Sequence, residues 1–332
     1  MASKANLDRI TVSVGDISAA AAQIGNTVRR TPLIAAADLT ARAGQRVHLK
    51  LENLQHTGSF KIRGATNAVL QLQPAQQQAG VVAVSTGNHG RGVAAAAKEA
   101  GVGCTVCMSS LVPDNKVAAV RALGAQVEIV GHSQDDADLR ADELEAAGVT
   151  RLPPFDHGDV IAGQGTIALE LLEQNPGLQE VVVPLSGGGL ISGIAIAAKA
   201  INPGIRIIGV TMDRGPAMML SQQAGHPVQV EEEASLADSL GGGIGLQNAH
   251  TFAIVRHLVD DMILVSEDEI ARAIAHLYWH AGQIVEGGAA VGVAALLAGK
   301  YQPKGVTALV ISGSNIDPSR HRQLVMSHQE LD

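Results

Sequence analysis

The chain of 332 residues is 46% hydrophobic, 17% charged and 2% aromatic, with 37 glycines and a formal net charge of −8. That length holds one large domain or two of ordinary size, and its apolar content excludes a disordered or low-complexity chain. Net negative charge and few aromatic rings leave neither a basic groove nor a stacking platform, which excludes nucleic acid as a partner.

The N-terminus, MASKANLDRITVSVGD, carries charges at Lys4, Asp8 and Arg9 and lacks the apolar run of a secretory signal, so a cytoplasmic location is expected. A first strand is predicted over 47–51, in VHLKL, and leads through TGSFKIRGA to a helix over 65–72. Lys61 then stands at the start of that helix, where the macrodipole and a desolvating cleft depress an ammonium pKa. A lysine so placed either forms an imine with a carbonyl group or is an ordinary surface cation beside a turn. The segment alone decides neither.

Next come a strand over 81–85, a helix over 92–100, a strand over 104–108, a helix over 116–123 and a strand over 127–130. Strand, helix, strand at this spacing implies a parallel sheet with helices on both faces. Cys104 and Cys107 have the spacing of a redox pair or of half a zinc site. They share one strand, however, where side chains three apart point to opposite faces, so they read as small core residues. The turn-rich segment 151–159, with Pro153 and Pro154, separates this βαβαβ unit from a second set of strands.

GQGTIA at 163–168 approaches a GxGxxG pattern, but it follows a weak strand and lacks a well-placed ribose acid downstream. A helix is predicted there, over 164–173. The better loop is LSGGGLISG at 185–193, which follows an apolar strand over 181–184 and opens a helix over 190–201. Its glycines let backbone N–H groups crowd around an anion at a helix N-terminus. A tight strand–helix turn needs the same glycines for clearance alone. The uncharged stretch 181–198 is broken by Pro184 and three consecutive glycines, so no membrane span is expected. Strands over 205–210, 262–265 and 307–311, with a helix over 267–283, complete the pattern. The expected architecture is α/β and two-lobed: residues 1–79 and 157–332 form a large lobe, and 80–156 a small inserted α/β lobe.

Four motifs fall in one order along the chain: SFKIRGA, STGNHGRG at 85–92, SGGGLISG at 186–193 and ISGSN at 311–315. Together with RRTPL, VIAGQGTIALE and VSEDEI, they resemble the serine/threonine dehydratase family, pyridoxal-phosphate enzymes of the tryptophan-synthase-β type that include serine racemase. The resemblance runs from about Arg30 to Asp317. It implies the two-lobed pyridoxal-phosphate fold type II, with parallel-rich twisted sheets and helices on both faces, and pyridoxal 5'-phosphate as cofactor. It also implies that GQGTIA binds no dinucleotide.

Position by position, the resemblance makes Lys61 the residue that carries the cofactor and Phe60 the ring packed on its pyridine. Asn88 corresponds to the amide that bonds the cofactor's ring hydroxyl, and Ser85, Thr86, Gly87 and His89 to the loop receiving the substrate carboxylate. Ser186, Gly187, Gly188, Gly189 and Leu190 correspond to the phosphate cradle, Ser186 standing where many members have a further glycine. Ser312 corresponds to the hydroxyl facing the pyridine nitrogen, and Glu286 to the acid near the imine edge. A serine at the nitrogen, unlike an aspartate, does not stabilise the protonated ring, which favours fast elimination over long-lived carbanions. Asp238 corresponds to an acid at the cleft, with turn capping as the other reading. Thr86 stands where racemases place an opposite-face serine.

Thr211 and Ala217 replace the two carboxylates of the family's divalent-cation branch, so no metal is expected. The stretches TMDRGPAM and SLADSLGGGIG are similar to the hydroxyectoine-utilisation and β-hydroxyaspartate dehydratase branch. The implied activity is that of an ammonia-lyase: β-elimination of water from a 3-hydroxy amino acid to a 2-oxo acid and ammonia, with Lys61 and Thr86 catalytic, in a homodimer without membrane partners. A serine- or aspartate-type racemase or a β-replacement synthase is the alternative on the same fold. A non-catalytic amino-acid-binding protein is the reading from another class, and an intact Lys61 argues against it.

Overall fold

The computed structural model describes residues 10–85, 87–112 and 114–328. In chain order the strands are β1 (Leu33–Ala35), β2 (Val47–Leu51), β3 (Val81–Val84), β4 (Cys104–Met108) and β5 (Gln126–Ile129). They continue with β6 (Thr150–Arg151), β7 (Glu180–Pro184), β8 (Arg206–Met212), β9 (Asp261–Val265) and β10 (Thr307–Ile311). Six of them form a sheet ordered β1-β2-β10-β7-β8-β9, and the other four a sheet ordered β5-β4-β3-β6. Every pairing is parallel except that of β1 with β2.

The central strands of the large sheet are apolar on both faces because both faces are covered. Along β7, Val181 and Val183 pack in one core with Ile161 and Leu171 of the helix Gly158–Gln174 and Ile191 and Ile194 of the helix Gly189–Ile201. Val182 points the other way, toward Ile270, Ile274, Val291 and Val293 of the helices Glu267–Ala281 and Gly287–Leu297. Cys104 and Cys107 are free thiols on opposite faces of β4. Cys107 packs with Val82, Ala137 and Ala141, whereas Cys104 packs in clusters built around Val93 and Val106. Among the described residues, no helix is long and apolar enough to cross a membrane.

Three departures from expectation have physical reasons. β1 and β6 hold three and two residues, all but one half-buried, and are too short to show a period. The helix Gln134–Ala146, QDDADLRADELEA, buries only Ala137 and Ala141 and is set instead by a capping box between Ser133 and Asp136. It carries the chain back to β6, so the βαβαβ unit becomes a four-stranded sheet. Finally, the helix expected over 65–72 is Lys61–Leu70, with Lys61 its first residue.

Two features hold that helix. Its inner face rests on a buried ionic cluster, in which Arg63 Nε donates to Glu52 Oε2 at 2.8 Å and Arg63 Nη1 to Glu170 Oε1 at 2.7 Å. Lys50 Nζ donates to Glu170 Oε2 at 2.5 Å and to Thr31 O at 2.8 Å, so two cations meet two carboxylates. Its backbone also touches the helix Gly158–Gln174 directly: a Cβ placed on Gly163 would lie 2.6 Å from Gly64 Cα. The same helix touches Gly189–Ile201 in the same way, since a Cβ on Gly193 would lie 2.9 Å from Gly165 Cα. The glycines of GQGTIA are therefore helix-contact residues.

Candidate active site

The turn before Lys61 is laced to the end of β10. Phe60 N donates to Ser312 O at 3.0 Å, Ser314 N donates to Gly58 O at 2.8 Å, and Ser59 bridges to Gly313. Gly58 has φ +78, and a Cβ there would strike Asn315 Oδ1 at 2.5 Å, so the turn requires glycine. This lacing brings Lys61, Phe60 and the buried Ser312 to one place.

Lys61 Nζ donates to Pro154 O at 2.7 Å and lies 5.3 Å from the Phe60 ring centroid. Loss of hydration, opposed by the nearby Glu286 charge, lowers its pKa to about 8. Near neutrality a usable fraction of the amine is thus unprotonated.

Glu286, 5% exposed, is the centre of a polar chain. Asn88 Nδ2 donates to Glu286 Oε1 at 2.7 Å, and Ser239 Oγ donates to the same oxygen at 3.1 Å. Asn315 Nδ2 donates to Asn88 Oδ1 at 2.5 Å, and Arg91 Nη1 to Asn315 Oδ1 at 2.7 Å. One N–H of the Asn88 amide is left for another acceptor. Burial, with repulsion from Asp238, pushes the Glu286 carboxyl up to about 7, against the hydrogen bonds that favour its charged form.

That displacement makes a stability prediction. With its pKa raised from 4.5 to about 7, Glu286 holds its proton more tightly in the folded than in the unfolded state. Its contribution therefore falls as pH rises through that window, and the penalty is complete above pH ~7, at about 3 kcal/mol as an upper figure. Glu286→Gln is expected to raise the thermal midpoint of the cofactor-free protein by a few degrees at pH 8, with the gain vanishing toward pH 4. A gain independent of pH would place the carboxyl in an ordinary environment.

The N-terminus of the helix Asn88–Ala100 follows β3 through Ser85 and Gly87, and Ser85 Oγ accepts from Gly87 N at 3.2 Å. Thr86 lies outside the described residues. The His89 ring is buried, and its Nε2–H donates to Leu152 O at 2.8 Å. Burial and the Lys61 charge hold it neutral, with a pKa lowered to about 3.

The glycine loop enters its 13-residue helix without a side-chain cap, and Gly188 takes φ +91. The loop's glycines also provide clearance. A Cβ on Gly187 would fall 2.4 Å from the Phe155 ring, and one on Gly189 2.9 Å from Phe155 O. Gly187, Gly188, Gly189 and Leu190 are buried, with Ser186 half-buried beside them.

Asp238 does not cap its turn, which has no side-chain cap hydrogen bond. Instead its Oδ2 accepts from Lys116 Nζ at 3.3 Å, an exposed pair joining the large sheet's loops to the helix Asp114–Ala122 beside the small sheet. Thr211 is buried on β8 and Ala217 opens the helix Ala217–Ala224. Among the described residues no group of three His, Cys, Asp or Glu side chains could hold a metal ion. Pro154, Phe155, Ser239 and Asn315 were missed from sequence. Asn315 lay in a quoted motif, whereas the Pro-Phe pair read only as a turn.

A family model described as pyridoxal-phosphate dependent enzyme matches residues 24–313. A protein of Sinorhizobium fredii, provisionally named a threonine dehydratase, is 55% identical over 316 residues, covering 95% of each chain. The L-threonine ammonia-lyase of Thermotoga maritima is 43% identical over 308 residues, 92% of this chain and 76% of that protein. The solved structure of maize serine racemase superposes with a TM-score of 0.89 at 34% identity, covering 96% of this chain and 98% of the other.

Proposed function

We propose, from the premise that this chain belongs to the pyridoxal-phosphate dependent enzymes and among them to the serine/threonine dehydratase family, that it removes water from a 3-hydroxy amino acid at a site centred on Lys61. The observation that carries the reading is the placement of Lys61 itself: an amine at a helix start, beside Phe60 and Ser312, held by one carbonyl and close to Glu286.

The donor set fits pyridoxal phosphate. An uncapped helix start behind three glycines suits a phosphate, the spare Asn88 N–H suits a ring hydroxyl, and a buried serine hydroxyl at Ser312 suits a neutral ring nitrogen. When bound, the cofactor supplies an electron-withdrawing ring that acidifies the substrate's Cα proton.

The chain's residues supply the rest. Lys61 would hold the cofactor through its amine and, when free, would take the substrate's Cα proton, a task suited to a base titrating near neutrality. Ser85 and Gly87, next to the start of the Asn88–Ala100 helix, would receive the substrate carboxylate, with Thr86 between them in sequence. His89 anchors that segment through Leu152. Glu286, oriented by Asn88 and Ser239, holds a proton near pH 7 at the site.

The relative from Thermotoga maritima is named an L-threonine ammonia-lyase, which puts threonine first with serine as its smaller 3-hydroxy analogue, and the TMDRGPAM and SLADSLGGGIG stretches extend the choice to 3-hydroxyaspartate and hydroxyectoine-derived amino acids. We take the working unit to be a cytoplasmic homodimer and the small lobe to be residues 80–156, a division supported by the separation of the strands into two sheets. The test is release of ammonia and 2-oxo acid from serine, threonine, both 3-hydroxyaspartate series and hydroxyectoine-derived amino acids. Equal amounts of the two products from at least one of them are expected. Enantiomer formation without ammonia would assign a racemase instead, and no turnover of any of them a binding protein.

A further inference from the structure

The segment Pro154–Phe155–Asp156 touches the lysine and the glycine loop at once. Pro154 O is the acceptor for Lys61 Nζ, at 2.7 Å. Phe155 lies on Gly187 and Gly189 so closely that neither position has room for a Cβ. Asp156 is directed elsewhere. Its Oδ2 accepts from Ala249 N at 2.6 Å, and its Oδ1 from His250 N and Thr251 N, each at 2.9 Å.

Those amides begin the helix Thr251–Leu258, whose own N-cap residue, His250, makes no side-chain cap hydrogen bond. The same helix returns to the glycine loop from the far side. A Cβ on Gly188 would lie 3.0 Å from Thr251 Cβ and 3.3 Å from Val255 Cγ2. The contacts therefore close a ring: Lys61 to Pro154, Phe155 to Gly187, Gly188 to Thr251, and Thr251 back to Asp156.

We propose that Asp156 is a positioning residue, which fixes the Pro154 carbonyl against Lys61 and the Phe155 ring against the glycine loop. The proposal rests on the reading of Lys61 as the residue that carries the cofactor. Three N–H donors on one carboxylate fix its place and its orientation, leaving the two residues before it little freedom. Asparagine cannot reproduce this, because it has one acceptor oxygen and sets an NH₂ against a backbone N–H. A simple helix cap would affect stability alone. A positioning role affects how Lys61 meets its partner.

The experiment uses Asp156→Ala and Asp156→Asn, each stripped of cofactor and titrated with pyridoxal phosphate. The readouts are the cofactor dissociation constant by visible absorbance and the rate at which borohydride traps it on the Lys61 peptide. The cofactor-free thermal midpoint is measured beside them. Asp156→Ala is expected to weaken cofactor binding and slow Lys61 trapping by roughly tenfold to a hundredfold, the upper end being the scale of a displacement near 1 Å. Asp156→Asn, which keeps the bonds from His250 and Thr251, is expected to fall between and serves where the alanine variant does not fold. Wild-type binding and trapping alongside a lowered midpoint would reduce Asp156 to a helix cap and overturn the proposal. Trapping at a residue other than Lys61 in the wild-type protein would overturn the reading of the site itself, and this proposal with it.

Discussion

Lys61→Ala is expected to lose turnover by at least about a thousandfold, the combined scale of a lost nucleophile and a lost general base. The variant should fold. In the wild-type protein the Lys61 pKa lies at about 8, below its ordinary 10.5, so the folded state releases this proton before the unfolded state does. The group's contribution to stability therefore rises with pH between those values, and its penalty is complete below pH ~8. Removing the side chain at pH 7 relieves that penalty while leaving Pro154 O without its donor. The thermal midpoint of the cofactor-free variant should consequently match or exceed that of the wild type, so that the loss of turnover belongs to chemistry. Lys61→Arg should fail as completely, because a guanidinium keeps the charge but never frees its nitrogen at working pH. Full turnover in either folded variant would move the chemistry to another residue.

The largest expected loss of stability follows from Arg63→Met. Arg63 is 1% exposed and Glu52 is fully buried, and Arg63 also serves Glu170. Taking away the guanidinium leaves Glu52 with Thr31 Oγ1 and Gln55 Nε2 as hydrogen-bond donors and no cation in direct contact. Breaking a buried pair from one side costs about 3–5 kcal/mol, because the remaining charge stays desolvated. Burial is the largest influence and would raise the Glu52 pKa, yet the Arg63 charge and hydrogen bonds, the Lys50 charge and the Thr31 hydroxyl together outweigh it and hold the carboxyl below its ordinary value. Its stabilisation is therefore present above the unfolded pKa and lost as pH falls through the folded one. In the variant the carboxyl takes up a proton instead, so the deficit should be greatest near pH 7 and narrow toward pH 5. Urea and thermal unfolding at both pH values provide the check. Glu52→Gln added to Arg63→Met should recover part of the loss, and a single variant within about 1 kcal/mol of wild type would show the cluster to be dispensable.

Much of the fold was legible because its strands are short apolar runs between polar or glycine punctuation. The bounds read for β2, β4 and β10 are those of the structure, since each run begins and ends abruptly in sequence. The helix Gln134–Ala146 was not legible, because a helix that buries two alanines has no stripe to detect. Candidate site residues could be singled out where contiguous motifs carry them, as at Lys61, Asn88 and the glycine loop. The site was not legible where a side chain's partner comes from a distant segment. Nothing in STGNHGRG assigns the His89 ring to Leu152, and nothing around Asp238 foretells Lys116. Pro154 and Phe155 gain their meaning only when Lys61 and Gly187 arrive beside them from two other parts of the chain.

The glycine contacts among the three helices act as a ruler. The helix bearing Lys61 meets the helix Gly158–Gln174 at Gly64 and Gly163, and that helix meets the one behind the glycine loop at Gly165 and Gly193. At both contacts backbone approaches backbone closely, and beside Gly64 the Gln164 side chain accepts from Gly64 N at 3.3 Å and adds to the fit. The interval between the amine and the amides of the glycine loop is thus set by covalent geometry and helix diameter, which thermal motion and sequence drift elsewhere change little. A molecule that must reach both ends meets a gauge of fixed length. Any side chain at one of these four glycines would lengthen that gauge by prising the helices apart, even where every residue that touches the molecule is left unchanged.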